Sequence, residues 1–217
     1  MTRVAILDTG SDIKHESIRN NIINTYNSIK KNNDVFDVYG HGTHCASVIT
    51  SLAPDCELII IKVLDDRGGG DIRYINEGIG YALQYGADII NASLGTPIYN
   101  ECTHNLVKAC RSRGMNIICA AGYDNIPIYP GGFEECLSVG AMDYDYNICE
   151  FNAPDSLIDV YAPGLDILGA KTNTNKYKTL SGSSQATAYV SGVLASLDNN
   201  MDELYKMIQN KFLQIKK

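Results

Sequence analysis

The chain has 217 residues, 45% of them hydrophobic, and a formal net charge of −7. That length suits one domain over residues 1–217 with a substantial core, and the acidic balance argues against a nucleic-acid surface while mildly favouring a neutral or basic peptide partner. No apolar run approaches the roughly 20 residues that cross a bilayer, and Met1-Thr2-Arg3 enters a strand-like run directly with no visible secretion signal, so a cytoplasmic protein away from membranes is expected.

Val4 to Leu7 is a short apolar run of the kind that forms a buried strand, and it ends at Asp8-Thr9-Gly10. Gly40-His41-Gly42-Thr43-His44 opens a helix-period segment from Thr43 to Leu52, followed by a strand from Leu58 to Leu64 and the triplet Gly68-Gly69-Gly70. A helix over Ile72 to Tyr85 with Gly86 at its C-cap leads to a strand over Ala87 to Ala92 and then Ser93-Leu94-Gly95. Asn105 to Arg113, closed by Gly114, reads as a helix, and Met115 to Ala121, Leu137 to Met142 and Asp159 to Ala162 read as strands. A long helix over Gly182 to Leu197 and a shorter one over Asp202 to Asn210 complete the chain. Strands alternating with helices predict an α/β fold, a mainly parallel central sheet with helices on both faces. Right-handed crossovers would bring several strand ends to one sheet edge, where a site should form.

The seven cysteines, at positions 45, 56, 102, 110, 119, 136 and 149, cannot all pair within one chain and show no C-x-x-C spacing. They are expected to be reduced, mostly buried small residues.

Three segments carry acid, base and nucleophile types in the order Asp, His, Ser: Asp8-Thr9-Gly10, His41 to Ala46, and Gly182 to Ala188. Alone, Asp8 suits an ordinary turn. D-T-G is also the signature of aspartic proteases, but that chemistry needs a second such triplet or a homodimer on an all-β framework, and this chain has a single triplet in an α/β pattern. His41 and His44 form an H-x-x-H pair with no third metal ligand at a convincing spacing, so His44 is expected to be structural and no metal or other cofactor is expected. Ser181, Ser183 and Ser184 suit plain helix capping equally well.

Taken together with Ser93-Leu94-Gly95 and Ala120-Ala121-Gly122, these blocks resemble the subtilisin-like serine proteases, the subtilases, from Val4 to about Val193. The resemblance implies a three-layer sandwich, with Ser184 as nucleophile, His41 as general base and Asp8 as the carboxylate that orients it. It also implies a peptide or protein substrate held in extended form by Gly68, Gly69 and Gly70 on one side and Ser93, Leu94 and Gly95 on the other, with Asp124 beside the first specificity pocket. The passage from Leu52 to Ala53-Pro54 leaves no room for the calcium-binding loop of many secreted members.

The departures are specific. The family's oxyanion-stabilising asparagine is replaced by Tyr123, the methionine after the nucleophile by Gln185, and a helix proline by Ala188. Three arrangements follow: the Tyr123 hydroxyl donates to the oxyanion, Asn125 takes over, or the Ser184 N–H acts alone. The last would give a slow enzyme or a pseudoprotease that binds peptides or a regulatory partner without efficient cleavage.

Overall fold

The computed structural model describes residues 1–208. Seven strands form one parallel sheet: β1 (Arg3–Asp8), β2 (Ile22–Asn27), β3 (Glu57–Lys62), β4 (Ile89–Ala92), β5 (Asn116–Ala120), β6 (Leu137–Met142) and β7 (Val160–Pro163), in the order β2-β3-β1-β4-β5-β6-β7. Among the described residues five α-helices accompany it: α1 (His41–Leu52), α2 (Ile72–Tyr85), α3 (Glu101–Ser112), α4 (Ser183–Ser196) and α5 (Met201–Met207). Strands β8 (Ile167–Lys171) and β9 (Lys176–Leu180) form a separate antiparallel hairpin.

Period-two alternation sorts the strand side chains into two cores. Val4, Ile6, Leu58, Ile60, Ile89 and Ile118 face α1 and α4. Ala5, Leu7, Ile59, Ile61, Ile90 and Ile117 face α2 and α3. Both faces are covered, which is why the strands read as continuous apolar runs.

The subtilase-like α/β sandwich expected from the sequence is present, with corrections. Strand β2 and the β8/β9 hairpin were not anticipated; β2 and β9 are largely half-buried or exposed and carry few apolar residues. Helix α3 begins at Glu101 rather than Asn105, because Asn100 caps it by accepting from Thr103 N. The last helix reaches Met207 here, and the expected extension to Asn210 lies outside the described residues.

Handedness is corrected too. The connections β2-α1-β3, β3-α2-β4 and β4-α3-β5 all step the same way across the sheet, yet α1 covers one face while α2 and α3 cover the other. The first crossover therefore has the opposite hand to the other two, an exception to the right-handed rule. It places the start of α1 on the same face as α4, so His41 and Ser184 share one side of the sheet. The two helices approach closely because Gly192 offers no side chain: a Cβ there would lie 3.0 Å from Leu52 Cβ.

Candidate active site

Asp8 is the last residue of β1 and is completely buried, and His41 is the first residue of α1. His41 Nδ1 donates to both Asp8 carboxylate oxygens, at 2.8 and 2.9 Å. Gly42 permits this approach, since a Cβ there would lie 2.1 Å from the Gly10 carbonyl oxygen and 3.0 Å from Asp8 Cβ. Burial disfavours the imidazolium, but the Asp8 carboxylate outweighs it and holds His41 well above the ordinary histidine value. Nε2 is left without a protein partner among the described residues.

Ser184 lies in the first turn of α4, behind the N-cap Gly182. Its hydroxyl donates to the Ser93 carbonyl at 3.3 Å rather than to His41. Ser93 returns a bond from its own hydroxyl to the Ser184 carbonyl at 3.0 Å. Asn91 extends this link from β4 into α4, donating to Ser93 Oγ at 3.1 Å and accepting from Ser191 Oγ at 2.9 Å. Ser93, expected only at the substrate groove, thus also holds the helix that carries Ser184.

A cleft of about 630 Å³ opens beside His41. Gly68, Gly69 and Gly70 line one wall and Ser93, Leu94 and Gly95 another, with Leu64, Ile72, Ile75 and Ile98 making much of the rest apolar. Neither glycine-bearing segment belongs to a strand; both are open loops at the cleft wall. The acids around this cleft are already engaged. Asp65 accepts from Arg67 N and Gly69 N, Asp66 pairs with Lys62, and Asp71 caps α2 and binds Arg73.

Tyr123 is about half exposed, its ring edge-on to Phe151 at 5.9 Å. Asp124 and Asn125 are exposed, do not line the cleft, and make no side-chain hydrogen bond among the described residues. His44, by contrast, is fully buried and its Nε2 donates to the Ile167 carbonyl at 3.0 Å. Burial pushes it down to about 4, so it stays neutral and ties α1 to β8. All seven cysteines are free. Cys45 Sγ sits 3.9 Å from His41 Nδ1, and burial pushes its thiol up.

Two supporting residues were missed. Asp37, completely buried, accepts from Thr9 Oγ1 at 2.8 Å, Gly40 N at 2.7 Å, Thr43 N at 2.8 Å and Thr43 Oγ1 at 2.6 Å. It therefore joins the residue after Asp8 to those flanking His41. Asp37 lies three residues ahead of the N-cap Gly40, where no helix-start rule singles it out. Lys62 ends β3 beside Asp8, and its ammonium donates to the Thr9 carbonyl at 2.5 Å. A lysine closing an otherwise apolar strand was the available signal.

Comparison with known proteins shows which family the chain belongs to. A profile described as the subtilase family matches residues 1–211. The chain is 37% identical over 213 residues to the intracellular serine protease of Paenibacillus polymyxa, an alignment covering 89% of this chain and 65% of that one. It is 34% identical over 225 residues to the major intracellular serine protease of Bacillus subtilis (strain 168), covering 94% and 70%. The chain thus spans about two thirds of the length of these relatives. A crystal structure of a cold adapted subtilisin-like serine proteinase superimposes with a TM-score of 0.85 at 27% identity, covering 92% of this chain and 76% of that one.

Proposed function

The chain belongs to the subtilase family, and we propose from that premise that it is a serine endopeptidase acting through Ser184, His41 and Asp8. The observation that carries the reading is the pair of hydrogen bonds from His41 Nδ1 to Asp8. They hold the ring in the tautomer whose free Nε2 can accept a proton.

Ser184 Oγ would leave the Ser93 carbonyl, pass its proton to His41 Nε2 and bond to the scissile carbonyl carbon. Collapse of the tetrahedral intermediate breaks the C–N bond as His41 returns the proton to the leaving amine. Water then repeats the sequence on the acyl-enzyme and frees Ser184. The Asp8 carboxylate stabilises the imidazolium formed in between. Since the acids near the cleft are engaged and its wall is apolar, the substrate is a peptide or protein with apolar side chains on the side bound by Leu64, Ile72 and Ile98. The names of the two intracellular relatives support a cytoplasmic setting.

The competing reading is a chain that binds peptides without efficient cleavage. Tyr123 at the oxyanion position and the Ser184 hydroxyl bonded to Ser93 favour it. Labelling by a fluorophosphonate probe, read by mass spectrometry, separates the two. The protease reading expects modification of Ser184 and none in Ser184→Ala. An unmodified native chain that still binds peptide would support the competitor.

A further inference from the structure

Gln185 follows the expected nucleophile and is 2% exposed, yet its Nε2 is buried with no hydrogen-bond partner. An orphaned buried N–H group is rarer and harder to tolerate than an orphaned carbonyl. The other end of the same amide points toward Gly182: a Cβ on Gly182 would lie 3.0 Å from Gln185 Oε1 and 2.5 Å from Tyr123 Oη. Two polar groups, neither of them hydrogen-bonded among the described residues, thus converge on one point above the N-cap of α4. The absence of a side chain at Gly182 makes that space. The Ser184 N–H, at the start of the same helix, likewise has no acceptor there and lies in the positive field of the helix terminus.

We propose that Tyr123 and Gln185 act as a coupled oxyanion device, Tyr123 donating to the oxyanion and Gln185 positioning it. This rests on the serine endopeptidase reading. Rotation of the Gln185 amide about its last torsion exchanges oxygen and nitrogen. It moves the orphaned N–H₂ outward to donate to Tyr123 Oη and leaves the better-tolerated carbonyl in the buried place. Tyr123 Oη then accepts from Gln185, which directs its own proton toward the substrate oxyanion beside the Ser184 N–H. A hydroxyl whose oxygen already accepts a bond is also a stronger donor. Because about half of Tyr123 lies in solvent, its ring can turn to close the gap when substrate arrives. No group is oxidised or transferred by the pair; both act only on the negative charge formed on the substrate carbonyl oxygen when Ser184 attacks.

The test measures kcat and KM on an internally quenched peptide for the native chain, Tyr123→Phe, Gln185→Met and the double variant, with thermal midpoints recorded for all four. Gln185→Met keeps the length of the side chain without a donor or a charge. The expected result is a fall in kcat of about tenfold or more for Tyr123→Phe, a smaller fall for Gln185→Met, and little change in KM. The double variant should be no slower than Tyr123→Phe alone, since Gln185 acts through that hydroxyl. A merely structural Gln185 would change the midpoint without this kcat pattern. The proposal is overturned if Tyr123→Phe keeps kcat within twofold, or if Gln185→Met slows the Tyr123→Phe background as much as the native chain. A native chain that neither cleaves the peptide nor reacts with fluorophosphonate defeats the protease reading itself, and the pair falls with it.

Discussion

Asp37 accepts both the backbone N–H and the hydroxyl of Thr43, at 2.8 and 2.6 Å, although five residues separate them and neither is exposed. With Thr9 and Gly40 it makes one buried carboxylate the joint between the Asp8 turn and the start of the His41 helix. Asp37→Ala would leave several buried donors unpaired, so a loss on the order of 2–5 kcal/mol is expected from urea unfolding. Asp37→Asn should lose less stability, because one oxygen still accepts, while peptide cleavage still falls as the Asp8 to His41 geometry loosens. Unchanged stability in Asp37→Ala would contradict this account.

The pH dependence follows from His41. Its pKa is raised, so a base at this position is protonated and idle through the range where a free histidine, near 6.5, would already be neutral. The acid limb of kcat/KM should therefore have its midpoint above 6.5 and activity should rise through it. In Asp8→Asn the opposing effect of burial is left, so the residual activity should have its limb at lower pH. For stability the sign is opposite. The His41 contribution is fully present below the unfolded value and is lost as pH rises through the folded one.

Asp8, His41 and Cys45 offer three ligand atoms within 4.8 Å of one another. Added soft divalent ions that favour thiolate and imidazole should therefore inhibit cleavage, with chelator restoring it. Inhibition should weaken in Cys45→Val, which keeps the buried volume but removes the sulfur. Equal inhibition of the variant and native chains would place the ion elsewhere.

The apolar cleft wall predicts selectivity. Ile98 is 71% exposed at the rim, while Ile75 is nearly buried at the base. Ile98→Asp should leave folding unchanged within about 0.5 kcal/mol, yet raise KM for peptides with apolar side chains at that subsite. Ile75→Asp should instead destabilise the chain by several kcal/mol, about what an unpaired buried charge costs. Thermal melts beside peptide kinetics separate the two effects.

Much of the sheet was readable because strands covered on both faces advertise themselves as apolar runs, as Val4 to Leu7 and Leu58 to Ile61 do. Strand β2 and the hairpin were not, since pairing rather than composition makes them strands. The local motifs placed Asp8 at a strand end and a helix over Thr43 to Leu52, which the structure extends back to His41, because turns and helix termini depend on neighbours in the chain. Ser184 was singled out only by resemblance, its neighbours Ser181 and Ser183 being chemically equivalent.

By itself the sequence determined the α/β class and the two-sided core, which follow from short-range pattern, while the candidate acid, base and nucleophile came from residue chemistry together with the family resemblance. Only the tertiary structure decided that the first crossover runs with the opposite hand to the next two, that Asp37 joins Thr9 to Thr43, and that the Ser184 hydroxyl rests on the Ser93 carbonyl. It alone brought the Tyr123 hydroxyl and the Gln185 amide to one point above Gly182. Each of these relationships joins residues through packing and hydrogen-bond satisfaction across folded layers, and no periodicity along the chain encodes which distant groups will meet.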